Sequence, residues 1–131
     1  MLVACLVVAG VVRATLPSAD FSVEWMHSIE HTQWREDYAI RDGRFEIERA
    51  RIEGMGAGMD TGEGAVFDGS GWTWKPAIAP LEEIRLTLSP YTADYRLCAA
   101  GQCRSLREWA GQPEGGTAVV TLRPCQASAT R

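Results

Sequence analysis

The chain reads as all-β, a small antiparallel β-sandwich or open barrel with at most one short helix. Three observations carry that reading. Short segments of alternating polarity recur along the sequence. They are separated by Gly, Pro and Asp punctuation, as in sandwiches and barrels and unlike β-α-β units. Between two of them stands Asp42-Gly43, the strongest short-range sign of a two-residue hairpin.

In chain order, the residues Met1 to Val12 are apolar throughout. They resemble the apolar segment of a secretory leader, with small residues at Val12-Arg13-Ala14 for cleavage, although nothing basic precedes Leu2. This gives an expected leader over residues 1–19 and a single all-β domain over 20–131; a buried first strand is the alternative. Leu2-Val3-Ala4-Cys5 also matches a lipoprotein box, but the apolar run follows the cysteine instead of preceding it. Strands are then expected over Phe21 to Ser28, Trp34 to Arg41, Arg44 to Ile52, Gly71 to Lys75, Glu83 to Leu88, Asp94 to Cys98 and Thr117 to Arg123. Asp42-Gly43 joins the second and third, because Gly accepts positive φ without steric cost. Ile84, Leu86 and Leu88 alternate with Arg85 and Thr87, which gives that strand one buried and one wet face. Trp72 and Trp74 share a strand face, as core filler or as an exposed stacking pair. The single helix is Ser105 to Ala110, where Ser105 and Glu108 fit a capping box and Gly111 fits the stop.

Composition narrows the function classes. The chain has 131 residues, 46% of them apolar with five Trp, enough for one core without a metal or a dense disulfide frame. Lys and Arg number 13 against 17 Asp and Glu, a formal charge of −4, and the basic residues form no stripe that could track a phosphate backbone. Nucleic acid is therefore not an expected partner. No apolar stretch reaches the roughly 20 residues of a membrane-spanning helix. Across a two-residue turn at Ala100-Gly101, Cys98 and Cys103 face one another directly, so a disulfide is expected there in an oxidising compartment. Loss of the leader would remove Cys5 and leave Cys125 unpaired.

Candidate chemistry concentrates between Trp25 and Glu36, which hold both histidines, two carboxylates and two hydroxyls. His27-x-x-Glu30-His31 is formally an inverted zinc-hydrolase string, but its two ligands share a face only on a helix, and the Phe21, Val23, Trp25 alternation favours a strand into His27. A Ser-His hydrolase on Ser28 fails because adjacent strand residues point to opposite faces and no nucleophile elbow is present. The second unusual stretch, Gly54 to Gly64, is rich enough in Gly for backbone N–H groups to approach a ligand, or simply for tight packing. It opens no helix, so it is not a dinucleotide fingerprint. Asp60-Thr61-Gly62 follows no apolar strand, which sets aside an aspartic protease. No cofactor or metal is expected. The expected site is one polar cluster, either a ligand- or partner-binding site or a self-satisfied polar corner, formed by His27, Ser28, Glu30, Thr32 and Glu36 with Gly56 and Gly58. The hairpin at Asp42-Gly43 returns both strings to one end of the sheet.

Trp25-x-His27-Ser28-x-Glu30-x-Thr32-x-Trp34-x-Glu36, then Gly56-Ala57-Gly58-Met59, then Asp94-Tyr95-Arg96-Leu97-Cys98 together resemble an uncharacterised bacterial family, domain of unknown function 1850, over about Phe21 to Cys103. Genes of that family commonly lie beside those of tripartite ATP-independent periplasmic (TRAP) transporters of the TAXI type. The resemblance thus implies an exported, non-enzymatic accessory, periplasmic or tethered through its N-terminus, whose partners are a TRAP-type permease or solute-binding protein and a small organic anion. A stand-alone periplasmic small-ligand-binding domain is the alternative, and a zinc-dependent hydrolase on His27, Glu30 and His31 a more distant one.

Overall fold

The fold was analysed in a computed structural model of the full chain, which describes residues 1–27, 32–54 and 62–127. Eleven strands and one helix are assigned among them: β1 (Leu2–Val8), β2 (Val11–Thr15), β3 (Asp20–Met26), β4 (Gln33–Arg41), β5 (Arg44–Glu53), β6 (Val66–Phe67), β7 (Gly71–Trp74), β8 (Ile84–Leu88), β9 (Arg96–Ala99), β10 (Gln102–Ser105), α1 (Leu106–Ala110) and β11 (Ala118–Gln126). They form a four-stranded sheet, β2-β1-β11-β8, and a seven-stranded sheet, β10-β9-β3-β4-β5-β7-β6. Every pairing is antiparallel. The architecture is the expected all-β sandwich with one short helix.

The core lies between the sheets. Ala4, Leu6, Leu86, Leu88, Val120 and Leu122 of the smaller sheet meet Phe21, Val23, Tyr38, Phe45, Ile47 and Leu97 of the larger one. Within it Phe21 stacks on Tyr38 with centroids 5.3 Å apart and meets Phe45 edge-on at 5.6 Å. The Asp42-Gly43 turn holds both residues at positive φ, 53° and 75°, as a type I′ hairpin requires. In α1, Ser105 Oγ accepts from the Glu108 N–H and Gly111 takes the left-handed cap at φ 62°. The indole N–H of Trp109 donates to the Leu97 carbonyl at 2.8 Å, which ties the helix to β9.

At the N-terminus the apolar run forms β1, which pairs with β2 and β11 as part of the sandwich. Val3, Ala4 and Leu6 are fully buried, and β1 pairs with β11 from Leu2–Gln126 to Val7–Thr121. A strand buried on both faces reads as a continuous apolar run, which in sequence looks like the apolar core of a leader. The turn that ends it, Ala9-Gly10 at φ 50° and 79°, repeats the conformation of Asp42-Gly43 without its acidic residue. Cys125 is likewise not unpaired: it bonds to Cys5 on the neighbouring strand. Cys98 and Cys103 form the expected bridge across the β9–β10 hairpin, where they are direct Cα partners.

Candidate functional site

The seven-stranded sheet carries an aromatic row at the end from which the β3–β4 connection leaves. Trp25 on β3 is the direct Cα partner of Trp34 on β4, so both indoles leave the sheet on one face. They stack with centroids 6.0 Å apart and planes 20° off parallel. His27, two residues beyond Trp25 in the chain, stacks with Trp34 at 5.9 Å and 27°. On the β9 side, Tyr95 meets Trp25 at 6.2 Å with a tilt of 59°. Tyr95, Trp25, Trp34 and His27 thus form one aromatic cluster at the end of the sheet. Burial, and then the nearby Asp94 carboxylate, raise the Tyr95 phenol above its ordinary pKa.

Beside the row lies a cleft of about 520 Å³, bounded by Trp25, Met26 and His27 on one side and by Thr87, Ser89, Tyr91 and Tyr95 on the other. Tyr91, 93% exposed, stands at its mouth, on a turn in which Ser89 Oγ accepts from the Tyr91 N–H at 2.9 Å. Behind the row, Thr32 Oγ1 and Trp34 Nε1 are buried polar atoms with no hydrogen-bond partner among the described residues.

The expected site residues distribute as follows. The His27 N–H donates to the Thr32 carbonyl at 2.8 Å, one step beyond the last Cα pair, Met26–Gln33. His27 therefore extends the β3–β4 ladder, whereas the zinc string needs a helix beginning at that residue. A Cβ on Gly54 would lie 3.7 Å from Thr32 Cγ2, so the described edges of the two unusual stretches do meet. Glu36 lies on the aromatic face of β4, one alternation beyond Trp34, and accepts a 2.6 Å hydrogen bond from Tyr38 Oη. Burial, together with this carboxylate, pushes the Tyr38 phenol far above its usual range. Ser28, Glu30, His31, Gly56, Gly58 and Asp60 lie outside the described residues.

Trp34, Tyr95, Tyr91 and the hydroxyls of Thr87 and Ser89 were not singled out as site residues. A Trp or His at every second position from Trp25 to His27, and again at Trp34 across the hairpin, was the available signal. Tyr91 could not be placed, because nothing in Ser89-Pro90-Tyr91 tells which strand end it faces. Trp72 and Trp74 share a face, as expected, opposite Ile52 and Ala50 of β5. Neither belongs to the main core cluster; Trp72 packs on Phe67 at 5.1 Å. Gly62 is pressed against the Trp74 indole, where an added Cβ would stand 2.1 Å from Cδ1. There glycine is required by close approach.

A larger groove of about 710 Å³ lies around the opposite face of the same sheet, beside Cys98. Asp37 accepts from Arg35 at 2.8 Å and from Arg49 at 2.9 Å, and Glu24 lies between Arg35 and Arg96 at 3.8 and 3.6 Å. The groove is lined by paired charges, whereas the described lining of the aromatic cleft carries no Lys, Arg, Asp or Glu.

Fold and cleft together define a disulfide-bonded β-sandwich with an aromatic cleft at one end. The family model described as Domain of unknown function (DUF1850) matches residues 21–106, about two thirds of the chain, and the chain belongs to that family. No curated protein and no solved structure matches it.

Proposed function

We propose that this chain is a non-enzymatic binding domain acting outside the cytoplasm as an accessory of TRAP-type (TAXI) organic-anion uptake, and that the cleft beside His27 is its binding site. The observation that carries the binding role is the cleft itself, small-molecule sized and lined by rings with a few hydroxyls, the usual make-up of a small-ligand site. The compartment is supported by the two disulfides, which persist in oxidising surroundings. The link to TRAP transport rests on the family resemblance, and a permease or its solute-binding protein is the partner it implies. His27 lines the cleft with an imidazole stacked on Trp34.

The test is to replace His27 and Tyr91 singly by Ala and to measure both thermal stability and growth on a carbon source taken up by the cognate transporter. Growth lost at unchanged stability is the expected result. A stability loss large enough to account for the growth defect would make the cluster a structural corner, and unchanged growth in both variants would remove the binding role.

A further inference from the structure

Resting on that binding reading, we infer that the ligand class is a flat, ring-bearing monocarboxylate, and that dicarboxylates are excluded. Trp25 and Tyr95, tilted 59° to one another, form two walls of the cleft; His27 lies beside Trp25, and Tyr91 stands exposed at the mouth. This arrangement presents ring faces and ring edges to a flat guest, the two geometries that aromatic pairs favour. Thr87, Ser89 and Thr92 add hydroxyls. The Ser89 hydroxyl oxygen already accepts from the Tyr91 N–H, so its proton is directed elsewhere.

Charge decides between acids. None of the described lining residues is Lys, Arg, Asp or Glu. A dicarboxylate entering such a cleft would leave water at both ends and meet no guanidinium or ammonium at either, and the loss of hydration would go uncompensated. A ring with one carboxylate buries its uncharged face against Trp25 and Tyr95 and needs one donor, which the hydroxyls of Thr87, Ser89 and Thr92 supply. The arginines of the larger groove give a dianion no better home, because Arg35 and Arg49 are both bonded to Asp37.

The experiment uses the full, oxidised chain. Titration calorimetry and saturation-transfer NMR are run with benzoate and with succinate, on the wild type and on Tyr91→Ala, whose exposed side chain makes a folding defect the least expected outcome. Benzoate should bind, succinate at least tenfold more weakly, and Tyr91→Ala should weaken benzoate about three- to tenfold, the worth of one aromatic contact, at unchanged melting temperature. Succinate binding as well as benzoate, with benzoate displaced from the same cleft, would overturn the ligand class and leave the binding role standing. If neither acid binds while Tyr91→Ala cells still lose transport-dependent growth, the ligand class is wrong and the face docks a protein. If neither binds and growth is unchanged, both readings fall.

Discussion

Removing the Cys5–Cys125 bridge should cost far more stability than removing Cys98–Cys103, although both are single cross-strand links. The bridges close chain segments of very different length, with sequence separations of 120 and 5. When loop closure in the unfolded chain sets the effect, the long bridge is worth about 5 kcal/mol and the short one about 2 kcal/mol. Against a total stability of roughly 5–15 kcal/mol, loss of the first takes a third or more. For a domain of this size that is a fall in melting temperature of roughly 15–20 °C, against roughly 6–8 °C for the second. The assay is urea and thermal unfolding of Cys5→Ala/Cys125→Ala and of Cys98→Ala/Cys103→Ala, with a reductant titration of the second variant to open the remaining bridge alone. The first variant should also show a smaller rise in stability on oxidation than the second. If it proves no less stable than the second, the loop-length argument is wrong.

Leu6→Ala should cost about 2–5 kcal/mol, because Leu6 is fully buried between the sheets; a cost under 1 kcal/mol, measured by chemical unfolding, would mean that β1 is not part of the stable domain. Tyr38→Phe should cost about 1.5–3 kcal/mol near neutral pH by taking the donor from Glu36. The Tyr38 phenol is raised in the fold, so its contribution is complete below the unfolded value of about 10 and is lost as pH rises through the folded value; the stability gap between wild type and variant should close above about pH 10, and a widening gap would reverse the assignment. Gly62→Ala should cost about 1–3 kcal/mol by overpacking and change the emission of Trp74, against which the new Cβ would press; an unchanged spectrum at unchanged stability would refute that contact.

Much of the fold was legible because its determinants are local. Asp42-Gly43 specifies a turn by conformation alone, Ile84, Leu86 and Leu88 specify a one-sided strand by alternation, and Ser105, Glu108 and Gly111 specify a helix by its two ends. β1 was not legible in the same way. A strand buried on both faces has no alternation, so its apolar residues fit a strand and a leader equally; the pairing with β11 and the bond to Cys125, 120 positions away, are what show the strand. β6 is two residues long and too short to show any period. The candidate site was half legible. His27 and Thr32 were marked by their place in the unusual polar stretch, while nothing in the sequence marked Trp34 and Tyr95 as neighbours of a cleft. Burial distinguishes these roles, and burial depends on where the opposing sheet stops.

That stopping point explains why a cleft exists at this end of the molecule. Seven strands face four, and the smaller sheet cannot cover the whole of the larger. On β5 the mismatch falls within one strand: Phe45 and Ile47 belong to the main core cluster, while Ala50 and Ile52, on the same face, do not. On β4 the same change falls between Tyr38, inside the cluster, and Trp34, outside it. A β-sheet face left bare by its partner would expose apolar surface, and such surface in a stable protein is either covered or used. Trp34, Trp72 and Trp74 occupy that overhang, with Trp72 on Phe67 and Trp74 under the backbone of Gly62. Large flat side chains suit the place, because each covers much sheet while keeping an edge and an N–H for other partners. The cover ends at Trp25, which packs against the edge of the core and forms a wall of the cleft. The cleft is thus where the sandwich core runs out. A larger side chain at Ala93, one of the lining residues, would narrow the cleft.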